Sequence, residues 1–269
     1  MTFKTETKIE LSNIQHNLEW DYVKDMNAII AGKRNSGKSF LALSIAFRIF
    51  GKYPYTQVFI IDYKRSDFSR LKNLENLPNN RVASSKEEIF SLLEYYVELM
   101  NKRIDYFNTL ENSFGRTAKD FDMAPFYLIY DEFGAFNSTL DAKEKKRHDA
   151  LIKQITLMGR QYSFGIMIIL QQASVGNSGL DTSIKEQCGL IVQMGNATPA
   201  TLRQTFREDI EPQDMKFEVG QGQLWMESFS NSNKTYPFTA FYVYKDLLWK
   251  QFEINVYDQD VDKALTAHN

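Results

Sequence analysis

The sequence predicts an α/β domain, a mostly parallel sheet flanked by helices with an antiparallel edge hairpin near the C-terminus. Three observations lead there. Short, continuous, β-branched runs alternate with stretches of helical periodicity, the pattern of a buried parallel sheet. The first run, Ala28 to Ala31, breaks at Gly32 and passes through Gly37, Lys38 and Ser39 into a helix-like apolar series. The last two runs, Gln223-Leu-Trp-Met-Glu and Pro237-Phe-Thr-Ala-Phe-Tyr-Val-Tyr244, alternate across a Ser/Asn-rich turn as a hairpin does.

The chain of 269 residues suffices for one full core. Its 43% hydrophobic and 25% charged content is that of a globular protein and excludes a disordered or fibrous one. A net charge of −2 gives no global basic field, so any contact with nucleic acid has to be local, in loops or a pore. The single cysteine, Cys188, rules out an internal disulfide framework and points to a reducing compartment. Within Gln-Cys-Gly-Leu-Ile-Val it reads as a small core residue. No apolar run approaches the ~20 residues of a membrane span, and Met-Thr-Phe-Lys-Thr-Glu at the N-terminus has no signal-peptide character. A cytoplasmic protein without direct membrane insertion is expected, any membrane role being borrowed from a partner.

Residues 1–26 form a polar lead-in, within which Trp20 is either a core residue or a platform beside a nucleotide base. Residues 27–250 are the expected main α/β domain, and 251–269 a polar tail. The segment Gly32-Lys-Arg-Asn-Ser-Gly-Lys-Ser39 satisfies G-x-x-x-x-G-K-[ST] between a strand and a helix, the context of a phosphate-binding loop. Backbone N–H groups of such a loop and of the following helix converge on phosphates. Nucleotide contacts are therefore expected from Gly32, Asn35, Ser36, Gly37, Lys38, Ser39 and Phe40. Lys38 reaches the β- and γ-phosphates of ATP, and the Ser39 hydroxyl holds Mg²⁺.

Gly51 and Pro54 mark a turn, and Gln57-Val-Phe-Ile-Ile-Asp62 reads as a second buried strand with Asp62, Lys64 and Asp67 at its ligand-facing end. Ser85 and Glu88 fit a capping box ahead of a helical stripe, Ile89, Leu92, Leu93, Tyr96, Met100 and Ile104. Residues 108–122 read as a mobile polar loop. Phe126-Tyr-Leu-Ile-Tyr-Asp131-Glu132 is an apolar strand ended by two acids, about 90 residues beyond the P-loop. That pairing defines a Walker B strand, in which Asp131 holds Mg²⁺ and Glu132 polarises the attacking water. The charged run 141–149 opens a helix buried along Leu151, Ile152, Ile155 and Met158, with His148 on its surface. Phe164 to Leu170 and Gly189 to Met194 are further strands, and the tail after residue 250 is a short helix or frayed.

The order and spacing of these pieces resemble the FtsK/HerA superfamily of DNA-pumping ring ATPases, over residues 18–245. Trp20-Asp21 ahead of the P-loop is similar to the opening of Gram-positive conjugative FtsK/SpoIIIE-like coupling proteins. Ile61-Asp62-Tyr63-Lys64, Met100-Asn-Lys-Arg103, Tyr130-Asp131-Glu132-Phe133, Gly159-Arg160, Gln171 and Gly220-Gln221-Gly222 match the family's motifs. Ser163, where the family usually has glycine, and Gln171-Gln172-Ala173, where it has Q-R-P, depart from them. A membrane anchor and a DNA-reading winged helix are expected to be lacking, leaving a bare motor.

The resemblance implies a RecA-like fold, a homo-oligomeric ring (usually a hexamer) with ATP between subunits, and double-stranded DNA through the pore. It makes Arg160 an arginine finger toward a neighbour's γ-phosphate, with Arg203 and Arg207 as rivals and a helix C-terminal cation as the structural alternative. It makes Gln171 a γ-phosphate sensor. Pore loops are expected at 173–183 and 108–120, with Lys119, Asn177 and Lys185 toward DNA phosphates. Three functions follow as expectations: a coupling ATPase working with a relaxase in transfer of a mobile element, a genome-packaging ATPase docked on a capsid portal, or a non-catalytic ATP-binding switch.

Overall fold

The computed structural model describes residues 7–12, 18–53, 55–171, 180–229, 233–256 and 259–267. Strands β1 (Lys8–Glu10) and β2 (Glu19–Asp21) make a small antiparallel sheet. Strand β3 (Ala28–Gly32) leads to α1 (Lys38–Lys52), β4 (Gln57–Asp62), β5 (Val82–Ala83) and α2 (Lys86–Phe107). Then come β6 (Phe126–Asp131), α3 (Phe133–Asn137), α4 (Ala142–Met158), β7 (Phe164–Leu170), α5 (Thr182–Glu186) and β8 (Leu190–Met194). The chain closes with α6 (Pro199–Thr205), β9 (Gln221–Met226), β10 (Tyr236–Thr239), α7 (Lys245–Asn255) and α8 (Val261–Leu265).

The main sheet runs β10-β9-β8-β3-β7-β6-β4-β5; β9 is antiparallel to both its neighbours, β8 and β10, and every other neighbouring pair is parallel. Its central strands β3, β4, β6, β7 and β8 are buried at every position, because helices cover both faces. Alternate residues feed two cores: Ile29, Ile61 and Tyr130 pack with α2 and α4, and Ile30, Ile60 and Ile129 pack with α1 and the small sheet. This is the α/β architecture expected from the alternating runs, with the antiparallel hairpin on its edge.

Several expectations hold in detail. Ser85 and Glu88 form the capping box of α2, whose predicted stripe is buried apart from half-buried Ile104. Asp141 caps α4 in the same way. Cys188 is fully buried, and burial pushes its thiol up to about 12, as befits a core residue.

Others are corrected. Trp20 is fully buried, donates from Nε1 to the Asp25 carbonyl at 2.9 Å and packs edge-on to Tyr22 and Tyr127. Asp25 precedes β3, whereas the P-loop follows it, so Trp20 sits at the far end of the sheet from the phosphate loop and is no base platform. Met158 is exposed, because α4 gives way there to a 3-10 turn. Gly51 lies inside α1, and Pro54 is outside the described residues. The second hairpin strand stops at Thr239. Beyond it Phe241 lies under Arg48, 3.4 Å from ring centroid to guanidinium, and Tyr242 and Tyr244 pair with each other in solvent. The polar segment 108–122 contains a capped 3-10 turn, Ala118–Phe121, anchored by buried Ala118. Ser163 occupies the left-handed region (φ 56°), a conformation that favours glycine.

His148 is the largest correction. It is fully buried among Phe90, Phe133 and Phe136, and its Nε2 lies 2.9 Å from the Tyr130 hydroxyl. Amphipathic spacing alone could not separate it from the charged run around it. Burial lowers its pKa, with Asp149 opposing. The unfolded chain therefore takes up the proton first, and stability is lost as pH falls below the ordinary imidazole value of about 6.5. Thermal denaturation across that interval is expected to show a steeper acid loss in the parent protein than in His148→Phe.

Candidate nucleotide-binding site

Strand β3 delivers Gly32 to the carboxyl edge of the sheet, and the loop to α1 turns through two left-handed residues, Asn35 (φ 63°) and Gly37 (φ 94°). Gly37 is the N-cap of α1 and makes no side-chain cap, so the first N–H groups of the helix are left for a ligand. Lys38 is buried, Ser39 and Phe40 are half-buried, and the buried Ser36 hydroxyl has no hydrogen-bond partner.

The late Gly220-Gln221-Gly222 motif has a physical reason in this loop. Gly220 (φ 85°) donates its N–H to the Ser36 carbonyl at 3.1 Å, and a Cβ at Gly37 would stand 3.2 Å from Gly220 Cα. A side chain at Gly37 would press on the Gly220 backbone, whereas Gly220 has open space beside it and is held to glycine by its positive φ. Gly37→Ala is expected to weaken ATPγS binding about tenfold or more, from about 1–2 kcal/mol of left-handed strain added to that contact; titration of a fluorescent nucleotide measures it.

Across the sheet, β4 and β6 pair so that Asp62 lies opposite Asp131, and Glu132 follows with φ 56°. Three carboxylates thus crowd one edge. Burial, then Glu132 and Asp62, push the Asp131 carboxyl up to about 7, with Lys38 opposing. Asp62 is fully buried; its Oδ2 accepts from Ser66 N (2.7 Å) and Ser69 N (2.9 Å), while its Oδ1 has no partner. Glu132 Oε2 lies 2.7 Å from Lys64 Nζ. Sequence reasoning placed Asp62 and Lys64 at this edge without giving them a role.

These groups fit Mg²⁺ with a nucleotide. Ser39 and Asp131 would hold it, and the ion would supply positive charge to the phosphate oxygens. Gln171 follows β7, between β3 and β6, and so stands between the P-loop and Glu132.

Arg160 is elsewhere. It lies in the 3-10 turn between α4 and β7, exposed, its guanidinium 3.9 Å from the buried Asp25 carboxylate. Burial is the main cause of the raised pKa of Asp25, and Arg160 acts against it. Gly159 is required beside it because a Cβ there would strike the Phe164 carbonyl. The seven residues of β7 separate Arg160 from Gln171, a span of about 23 Å. Arg160 therefore does not reach the P-loop of its own chain. Of its rivals, Arg203 is exposed on α6, and Arg207 is committed to the Trp225 ring and to Asp209 and Glu227.

The expected nucleic-acid contacts fare less well. Lys185 is buried and donates to the Gln204 carbonyl at 2.7 Å, so it does not face solvent. Lys119 bonds Thr7 and pairs with Asp21 at 3.3 Å. Asn177 and most of the 173–183 loop lie outside the described residues. The 108–120 segment precedes the amino end of β6, the end of the sheet opposite the P-loop.

Strand order and loop placement define a P-loop ATPase fold. Residues 4–122 match the FtsK/SpoIIIE family. The FtsK domain-containing protein YdcQ of Bacillus subtilis is 26% identical over 210 residues, 78% of this chain and 42% of YdcQ. The chain thus spans about two fifths of that relative. Among solved structures, the pCW3 conjugation coupling protein TcpA with ATPγS superposes with a TM-score of 0.72 at 15% identity, covering 93% of this chain and 71% of TcpA. The Thermomonospora curvata type VII secretion ATPase EccC gives 0.63 at 16% identity over 93% of this chain and 30% of EccC. The genome-packaging NTPase B204 of Sulfolobus turreted icosahedral virus 2, with ATPγS, gives 0.51 at 14% identity over 82% of this chain and 99% of B204. At such identities the structural likenesses establish the fold. Among the described residues no helix is long and apolar enough to cross a membrane.

Proposed function

We propose that the protein is an ATP-hydrolysing ring motor that moves double-stranded DNA, as a coupling ATPase in transfer of a mobile element. The observation that carries the ATPase part is the convergence of Lys38, Asp131 and Glu132 at one sheet edge, with Gln171 between them. In this scheme Lys38 neutralises phosphate charge, Glu132 accepts a proton from the attacking water, and Gln171 reads the γ-phosphate. The DNA cargo and the client draw support from the YdcQ and TcpA likenesses. The B204 likeness, which spans nearly all of that protein, favours genome packaging as the second reading, and EccC brings secretion as a third cargo class. A triplex-displacement assay on linear duplex decides: ATP-dependent release of the third strand supports a DNA motor, and no release by an assembled, hydrolysing protein opposes it.

Ring assembly rests on Arg160. It is exposed beside the exposed apolar side chains of Leu157 and Met158 and is too far from its own P-loop, so a finger role requires a neighbouring subunit. Mixing Arg160→Ala with Lys38→Ala subunits is expected to restore part of the ATPase that each lacks alone. No recovery at any ratio would remove Arg160 from that role.

A further inference from the structure

Lys64 lies two residues past the end of β4, and β4 flanks β6 on the side away from the P-loop strand. The 2.7 Å pair with Lys64 therefore ties the Glu132 carboxylate to a side chain from the β4 side of the Walker B strand. The loop that carries Lys64 is pinned: Asp62 Oδ2 accepts from Ser66 N, Ser66 Oγ and Ser69 N, and Ser66 Oγ is 3.4 Å from Asp131 Oδ2. The two partners are unequally enclosed. The Glu132 side chain is 13% exposed and the Lys64 side chain 39%, so the ammonium has solvent to return to and the carboxylate has little.

From this we infer that Lys64 is a positioning residue that acts through Glu132. In the nucleotide-free protein it keeps the carboxylate away from the place of the attacking water. The arrival of nucleotide phosphates beside Asp131 brings negative charge that competes for the ammonium, and Glu132 is released toward the nucleotide. Hydrolysis then runs in balance: one water proton passes to Glu132, the hydroxide oxygen bonds the γ-phosphorus, and the bond to the β-phosphate oxygen breaks. The inference rests on the ATPase assignment above and names what restrains that same site before it is loaded.

Carbodiimide coupling of the full chain tests the contact without turnover. A Lys64–Glu132 amide, identified by peptide mass spectrometry, is expected in nucleotide-free protein and should fall several-fold with Mg·ATPγS bound. Equal yield with and without bound ATPγS would overturn the inference. In steady state, Lys64→Met is expected to raise DNA-independent ATPase about threefold or more, as the competent fraction grows, with ATPγS affinity kept. Lys64→Arg, able to keep the pair, should restore the low rate. Lys64→Met turnover at or below the parent's, with ATPγS affinity kept, would show that Lys64 assists rather than restrains and would overturn the inference. Failure of the parent protein to bind ATPγS would instead overturn the ATPase assignment, and the restraint with it.

Discussion

Glu132→Gln is expected to bind Mg·ATP as tightly as the parent protein while turnover falls by about 10²–10⁴, the range a positioned general base contributes. The amide keeps the size of the side chain but cannot take the proton of the attacking water. The left-handed backbone at Glu132 is tolerated by glutamine as well as by glutamate, so the fold should be unaffected. Lys38→Ala is expected to differ. It removes the buried ammonium proposed to face the phosphates and should weaken both binding and turnover, the latter by about 10²–10³. Nucleotide titration alongside steady-state kinetics separates the two. Equal loss of binding in both variants would contradict the roles given to them.

The second large effect is on stability. Arg103 is fully buried on α2, beside the mutually stacked rings of Phe126 and Phe164, with its guanidinium donating to the carbonyls of Ala124, Tyr162 and Ala264. One side chain thus ties the start of β6, the turn after Arg160 and the last helix to α2. Burial pushes its pKa down to about 9, which still leaves it charged at neutral pH. Arg103→Met fills part of the space and leaves the three carbonyls unpaired, a cost of about 3 kcal/mol or more. A fall in Tm of about 10 °C is expected for a chain of this size. Limited proteolysis should cut first near α8, which loses its tie to the body. A Tm within about 2 °C of the parent would show that water replaces the guanidinium at little cost.

What was legible in the sequence follows a physical division. Strands β3, β4, β6, β7 and β8 are buried on both faces, and their continuous apolar runs declare them. The P-loop and the Asp131-Glu132 pair are consecutive residues whose chemistry needs those types in that order. The two- and three-residue strands β1, β2 and β5 are too short to carry a period. His148 sits in a charged run, and only tertiary packing against Tyr130 and three phenylalanines reveals it as core. The Lys64–Glu132 pair joins residues far apart in sequence but on neighbouring strands, so strand order had to be known first. Gly220 was visible as a motif; its reason, the contact with Gly37, was not. For Lys185 a polar loop was expected, yet its ammonium is held by a carbonyl on the end of α6.

The central claim is that ATP turnover at this site is coupled to double-stranded DNA in an assembly of several subunits. Steady-state ATPase of the full chain with and without linear duplex, with native mass recorded on the same sample, tests it most directly. Strong stimulation by duplex together with a ring-sized species is the predicted result. A monomer whose turnover is indifferent to DNA would contradict it.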